Sequence, residues 1–164
     1  MPIEVGQSIP NATLMQRQED KTNKTFETTE LFKGRKIALS GMPGAFTGTC
    51  TGEHVPSFIR RAKELKAKGV DEIIIFAVND PQVMKAWGEA TGGTAAGLTF
   101  LADPMCEFTE ALGLRFDAPQ GGLIARCIRF AAIVEDGVIK TLKFEEAPLG
   151  CSLTSGDSIL EALD

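Results

Sequence analysis

The stretch Glu72-Ile73-Ile74-Ile75-Phe76-Ala77-Val78 is apolar after its first residue and rich in β-branched side chains. It lacks the polar alternation of a sheet with one wet face, and so predicts a strand covered on both faces. The next residues, Asn79-Asp80-Pro81, form a helix start, with Asp80 as N-cap and Pro81 at the first helical position. The helix they open carries Val83, Trp87 and Ala90 on its apolar side. Upstream, Lys36 to Ser40 begins a second buried strand, closed by the turn Gly41-Met42-Pro43-Gly44. Cys50 to Lys68 then reads as helical, with Phe58, Ala62, Leu65 and Gly69 on one face and Pro56 expected to kink it after its first turn.

The outer segments complete the pattern. Arg17 to Thr29 is polar and reads as a hairpin or loop leading into a short helix near Thr29 to Phe32. Leu98 to Ala102 is a short buried strand, and Asp103-Pro104 is expected to start a helix holding Phe108, Ala111 and Leu112. Ile128 to Val134 and Val138 to Phe144 flank Asp136-Gly137, a strong hairpin signal. Ser158 to Leu163 closes the chain as a helix. A parallel core, extended by an antiparallel hairpin and covered by helices on both faces, is an α/β fold with a mixed sheet. No repeat or linker divides the chain, and residues 1–164 are read as one domain.

Composition narrows the function. Seventeen basic against 22 acidic residues leave a net charge of -5, which argues against phosphate-backbone binding and hence a nucleic-acid partner. The apolar runs are too short to span a bilayer, so no membrane role is expected. The first residues, Met1-Pro2-Ile3-Glu4-Val5-Gly6, carry no basic, apolar secretion signal, and the chain ends without a peroxisomal Ser-Lys-Leu. A cytoplasmic location is the expectation.

Four cysteines, at 50, 106, 127 and 151, then require explanation. None are spaced as Cys-x-x-Cys, which argues against a general thiol–disulfide oxidoreductase. With His54 the only histidine, a zinc site is not expected either. Cys50 stands where a Gly- and Thr-rich loop enters a helix, a position whose N–H groups and dipole favour a thiolate. An ordinary thiol of pKa near 8.5 is roughly 3% ionised at pH 7, so full ionisation gains only about thirtyfold. A fast thiol nucleophile also needs groups that orient its substrate and stabilise charge on the departing atom.

Pro43-Gly44-Ala45-Phe46-Thr47-Gly48-Thr49-Cys50 closely resembles the Pro-x-x-x-Thr-x-x-Cys motif of peroxiredoxins. Thr51-Gly52-Glu53-His54-Val55-Pro56 resembles its continuation in the peroxiredoxin 5-like, type II subfamily. Val78-Asn79-Asp80, Trp87-Gly88, Leu101-Ala102-Asp103, Arg129-Phe130 and Val134-Glu135-Asp136-Gly137 recur in the order seen there. The resemblance implies a thioredoxin-like fold and a thiol peroxidase acting on hydrogen peroxide and alkyl hydroperoxides, with no metal or bound cofactor. It implies Cys50 as the nucleophile that becomes a sulfenic acid, and Thr47 as a hydrogen-bonding partner of peroxide and sulfur. Pro43 would shield the sulfenate, and Arg129 would hold thiolate and peroxide electrostatically. Gly48 departs from the proline of many relatives.

Cys151, within Leu149-Gly150-Cys151-Ser152-Leu153, resembles the resolving cysteine of animal members of that subfamily. The alternative is a passive cysteine, with glutathione or a glutaredoxin resolving from outside. The resemblance further implies thioredoxin, or glutathione with glutaredoxin, as reductant, and a homodimer. Arg126 competes with Arg129 for the site role, but an unbroken strand would point the two to opposite faces. His54 is expected to serve a structural hydrogen bond, Cys106, Cys127 and Trp87 to pack in the core. A redox sensor or holdase using Cys50 without turnover is the alternative function.

Overall fold

The computed structural model describes residues 1–145 and 152–163. Strands β1 (Thr13–Arg17) and β2 (Asn23–Glu27) form a hairpin with Leu14 opposite Phe26, followed by the one-turn helix α1 (Thr28–Leu31). Strand β3 (Lys36–Met42) leads through the Gly- and Thr-rich loop into a π turn, Cys50–His54, and then helix α2 (Val55–Ala67). Strand β4 (Glu72–Ala77), helix α3 (Pro81–Thr91), strand β5 (Thr99–Ala102) and helix α4 (Glu107–Ala111) continue the alternation. A side hairpin, β6 (Arg115–Ala118) and β7 (Leu123–Cys127), precedes β8 (Phe130–Glu135), β9 (Val138–Phe144) and helix α5 (Gly156–Ala162).

The main sheet runs β2-β1-β5-β4-β3-β8-β9. Strands β3, β4 and β5 are parallel, with β4 between the other two and β8 antiparallel to β3. The β4 residues Ile73 to Ala77 are fully buried. Ile73, Ile75 and Ala77 pack with Phe58 and Leu65 of α2, Met84 and Trp87 of α3, and Ile159 of α5. Ile74 and Phe76 face the opposite layer, with Phe32, Phe108 and Leu112. Each large apolar side chain removed from water there contributes about 1.5–3 kcal/mol before chain entropy is set against it. The thioredoxin-like mixed α/β sheet is therefore built by a strand whose two faces are both apolar.

Local signals account for the element ends. The Asp80 carboxylate accepts from the Val83 N–H at 2.8 Å, the cap expected there. Asp136 and Gly137 take φ of 47° and 76°, the paired positive values of a tight hairpin turn.

Several expectations need correction. The buried face of α3 is Met84, Trp87 and Gly88: Trp87 is buried as expected, Val83 is half-buried and Ala90 is exposed. Helix α4 begins at Glu107, later than Asp103-Pro104 suggested. The buried Asp103 carboxylate caps it from a distance, accepting from the N–H groups of Phe108 and Thr109 and the Thr109 hydroxyl. Pro56 stands near the start of α2, directly after the π turn, so its missing N–H falls where the regular i→i−4 ladder is already interrupted. The sequence pattern gives no sign of the hairpin β6–β7, whose strands are short and mostly half-buried.

Candidate active site

The loop between β3 and α2 is held at three successive backbone groups. Arg126 donates through Nη1 to the Pro43 carbonyl at 3.2 Å, the Thr47 hydroxyl donates to the Gly44 carbonyl at 2.7 Å, and the Ala45 N–H donates to Asn79 Oδ1 at 2.9 Å. Asn79 comes from the end of β4, so the central strand anchors the loop. At the loop's apex Phe46 has φ of 63° and is 54% exposed. A non-glycine residue there costs about 1–2 kcal/mol, a strain that persists only where surrounding contacts enforce it. The chain turns helical at Gly48, the Thr51 N–H donates to the Thr47 carbonyl at 3.0 Å, and the Cys50 backbone opens the π turn. π turns recur at functional sites because the widened backbone redirects side chains.

Gly41 explains why β3 can end so close to the layer beneath it. A Cβ there would meet Cys127 Sγ at 2.8 Å and Phe76 Cζ at 2.9 Å, besides the Phe130 ring. Only a residue without a side chain lets the strand cross these groups.

Beneath the π turn lies a buried polar network. Arg129 donates through Nη1 to His54 Nδ1 at 2.9 Å. His54 Nε2 is 2.8 Å from the Thr154 carbonyl and 3.1 Å from Ser40 Oγ, whose hydroxyl donates to the Phe130 carbonyl. A guanidinium only donates and a carbonyl only accepts, so Nδ1 must accept and Nε2 must carry the proton. Burial, reinforced by the neighbouring Arg129 charge, lowers the His54 pKa to about 3. The imidazole is therefore neutral across the physiological range, and a general-base role is not what its surroundings favour.

Thr47, Pro43 and the Cys50 backbone lie on one loop-to-helix segment, and Arg129 reaches the same π turn through His54. Arg126 and Arg129 both approach this segment, against the parity expectation. The strand is broken between them: β7 ends at Cys127 and β8 begins at Phe130. Arg126 holds the loop, while Arg129, 6% exposed, sits beneath the turn.

Cys106 and Cys127 are buried thiols, as expected, and burial followed by the nearby Asp103 charge pushes the Cys106 thiol up. Trp87 is fully buried, yet its Nε1–H donates to Thr51 Oγ1 at 3.0 Å, beside Cys50. Gly48 is exposed and a side chain there would meet nothing within 4 Å, so its departure from proline leaves the packing intact. Cys151 lies outside the described residues. Sequence reasoning missed Ser40, Asn79 and Thr154. Ser40 left a signal, as a hydroxyl within an apolar buried strand; Thr154 acts through its carbonyl, which no side-chain pattern reveals.

Fold and site together define a thioredoxin-like protein with a motif cysteine at the start of a π turn and a buried arginine bonded to the histidine that ends that turn. Comparison with known proteins is specific. The Redoxin family model matches residues 4–160. Peroxiredoxin-2B of Arabidopsis thaliana is 44% identical over 162 residues, covering 99% of both chains. Reduced Prx3 of Vibrio vulnificus, solved in complex with hydrogen peroxide, is 45% identical with a TM-score of 0.90 over 99% of both chains. Peroxiredoxin 5 of Alvinella pompejana is 30% identical with a TM-score of 0.85, covering 99% of this chain and 98% of that one. The chain belongs to the Redoxin family, as a peroxiredoxin of the type II, peroxiredoxin 5-like kind, and is a thiol-dependent peroxidase.

Proposed function

We propose that Cys50 is the peroxidatic nucleophile and that Thr47, Arg129 and Pro43 form its working surroundings. The observation that carries this reading is the Arg129–His54 hydrogen bond, which keeps a buried guanidinium at the π turn that Cys50 opens. The Cys50 thiolate attacks one peroxide oxygen and forms the S–O bond as the O–O bond breaks. The electron pair leaves on the second oxygen, which takes a proton to give water or an alcohol. Cys50 becomes a sulfenic acid.

The Thr47 hydroxyl spends its proton on the Gly44 carbonyl, so its lone pairs are the part that meets the substrate, as acceptors for a peroxide O–H. The Arg129 guanidinium, a rigid fork of N–H donors, stabilises charge developing on the departing oxygen. Pro43, without an N–H and at the loop's entrance, limits water access to the sulfenate. The Vibrio vulnificus relative bound to hydrogen peroxide supports that molecule as substrate; small alkyl hydroperoxides are the accompanying class.

The sulfenic acid is then attacked by the thiol of Cys151 or of an external molecule, with loss of water and formation of a disulfide. Thioredoxin, or glutathione with glutaredoxin, reduces that bond. A homodimer is part of the reading, supported by exposed Phe46 and by exposed Ile124 on the strand whose Arg126 touches the active loop. A cytoplasmic location, a reducing compartment in which a reactive thiol is kept reduced, is part of the reading.

Peroxide consumption by wild type, Cys50→Ser and Cys151→Ser tests the proposal, each supplied separately with thioredoxin and with glutathione plus glutaredoxin. Repeated turnover lost in Cys50→Ser is expected, and retained turnover there would overturn the assignment. Loss of thioredoxin-driven turnover in Cys151→Ser identifies an internal resolver; equal rates with either reductant identify an external one.

A further inference from the structure

Glu145, just beyond the end of β9, gathers an unusual number of donors. Its carboxylate accepts from the backbone N–H groups of Ser152 at 3.2 Å, Leu153 at 3.3 Å and Thr154 at 2.6 Å, and from the Thr154 hydroxyl at 2.6 Å. Burial alone would raise its pKa, but the Thr154 hydroxyl and the three N–H groups outweigh this and hold the carboxyl below its usual range. It is therefore ionised at neutral pH and binds the backbone that follows residue 151. Thr154 is fully buried, and its carbonyl accepts the Nε2–H of His54 at 2.8 Å. His54 in turn accepts from Arg129 at 2.9 Å. An unbroken chain of hydrogen bonds thus runs from the end of β9 to the guanidinium beneath the π turn.

We propose that Glu145 is a positioning residue for Arg129, acting through Thr154 and His54; this rests on the reading of Arg129 as the group that meets the peroxide. The reason is geometric. A neutral imidazole transmits no charge, but it can hold a guanidinium only where its own far nitrogen is held. Thr154 is that hold, and Glu145 determines where Thr154 sits. A misplacement of about 1 Å in a catalytic group can cost up to a hundredfold in rate, so a carboxylate that never touches substrate can govern the peroxide step. The same carboxylate accepts from the N–H of Ser152, the residue after Cys151 in the sequence.

The test is the rate of Cys50 oxidation by hydrogen peroxide in a single turnover, measured by stopped flow in a Cys151→Ser background so that resolution does not enter. Glu145→Ala is expected to slow this step about tenfold and Glu145→Gln about threefold, since the amide keeps one accepting oxygen. Arg129→Ala is expected to cost about 10²–10³. The double variant Glu145→Ala/Arg129→Ala should be no slower than Arg129→Ala alone, because a residue that acts only through Arg129 has nothing left to position. Thermal melts identify the variants that are folded; if Glu145→Ala is not, the cycle is run with Glu145→Gln. Wild-type rates in the Glu145 variants beside a slow Arg129→Ala would overturn the proposal, as would additive losses in the double variant, which mark a general structural effect. A wild-type rate in Arg129→Ala would instead defeat the underlying reading of Arg129.

Discussion

Arg129 Nη1 lies 2.9 Å from His54 Nδ1, and this bond requires a neutral imidazole because a guanidinium has no lone pair to offer a protonated ring. The helix that carries Cys50 and the strand that follows Arg129 are tied together by one acceptor atom. Its partner nitrogen is tied to Thr154, close to the C-terminal helix.

The pH dependence of stability follows. The folded His54 pKa of about 3 lies below the unfolded value of 6.5. Below pH 6.5 the unfolded chain therefore binds a proton that the folded one refuses, and stability falls as pH falls, by up to about 1.4 kcal/mol per pH unit. Urea unfolding between pH 6.5 and 4.5 should show this slope in wild type and its loss in His54→Asn. Above pH 6.5 His54 contributes no slope.

Thr47 distinguishes a turn residue from a substrate partner. Thr47→Ser keeps the hydroxyl and should react with peroxide within severalfold of wild type. Thr47→Val should lose about 10² in the stopped-flow rate, the size typical of one polar group at a reacting centre. Equal rates in both would reduce Thr47 to its bond with the Gly44 carbonyl.

Trp87, the only tryptophan, is a built-in reporter. Its indole N–H donates to Thr51, the neighbour of Cys50, so rearrangement of the π turn on oxidation should change its emission. One equivalent of hydrogen peroxide should alter wild-type fluorescence and leave Cys50→Ser unchanged. A change of equal size in Cys50→Ser would trace the signal to another oxidation.

Two glycines should respond in opposite directions. Gly48 is helical, exposed and open around its Cα, so Gly48→Ala should be neutral or stabilise by up to about 1 kcal/mol. A Cβ on Gly156 would stand 2.5 Å from the Ser57 carbonyl oxygen of α2. Backbone cannot swing aside as a side chain can, so Gly156→Ala should destabilise by about 2 kcal/mol or more. Urea midpoints compare the two directly.

By itself the sequence determined the sheet's centre, because Ile73 to Val78 has no face that tolerates water. It determined the Asp80 cap and the Asp136-Gly137 turn, since both rest on local hydrogen bonding and φ preference within a few residues. It also carried the family, through the spacing from Pro43 to Cys50. Tertiary structure decided the rest of the site. The proximity of Arg126 and Arg129 to one loop depends on a broken strand at residues 128 and 129, which alternation assumes away. The neutrality of His54 depends on burial among α2, β3 and the segment at Thr154, groups far apart in the chain. Bonds that close over 75 and 100 residues, as His54 makes with Arg129 and Thr154, leave no period or spacing in the sequence. They exist only once the sheet has brought their elements together.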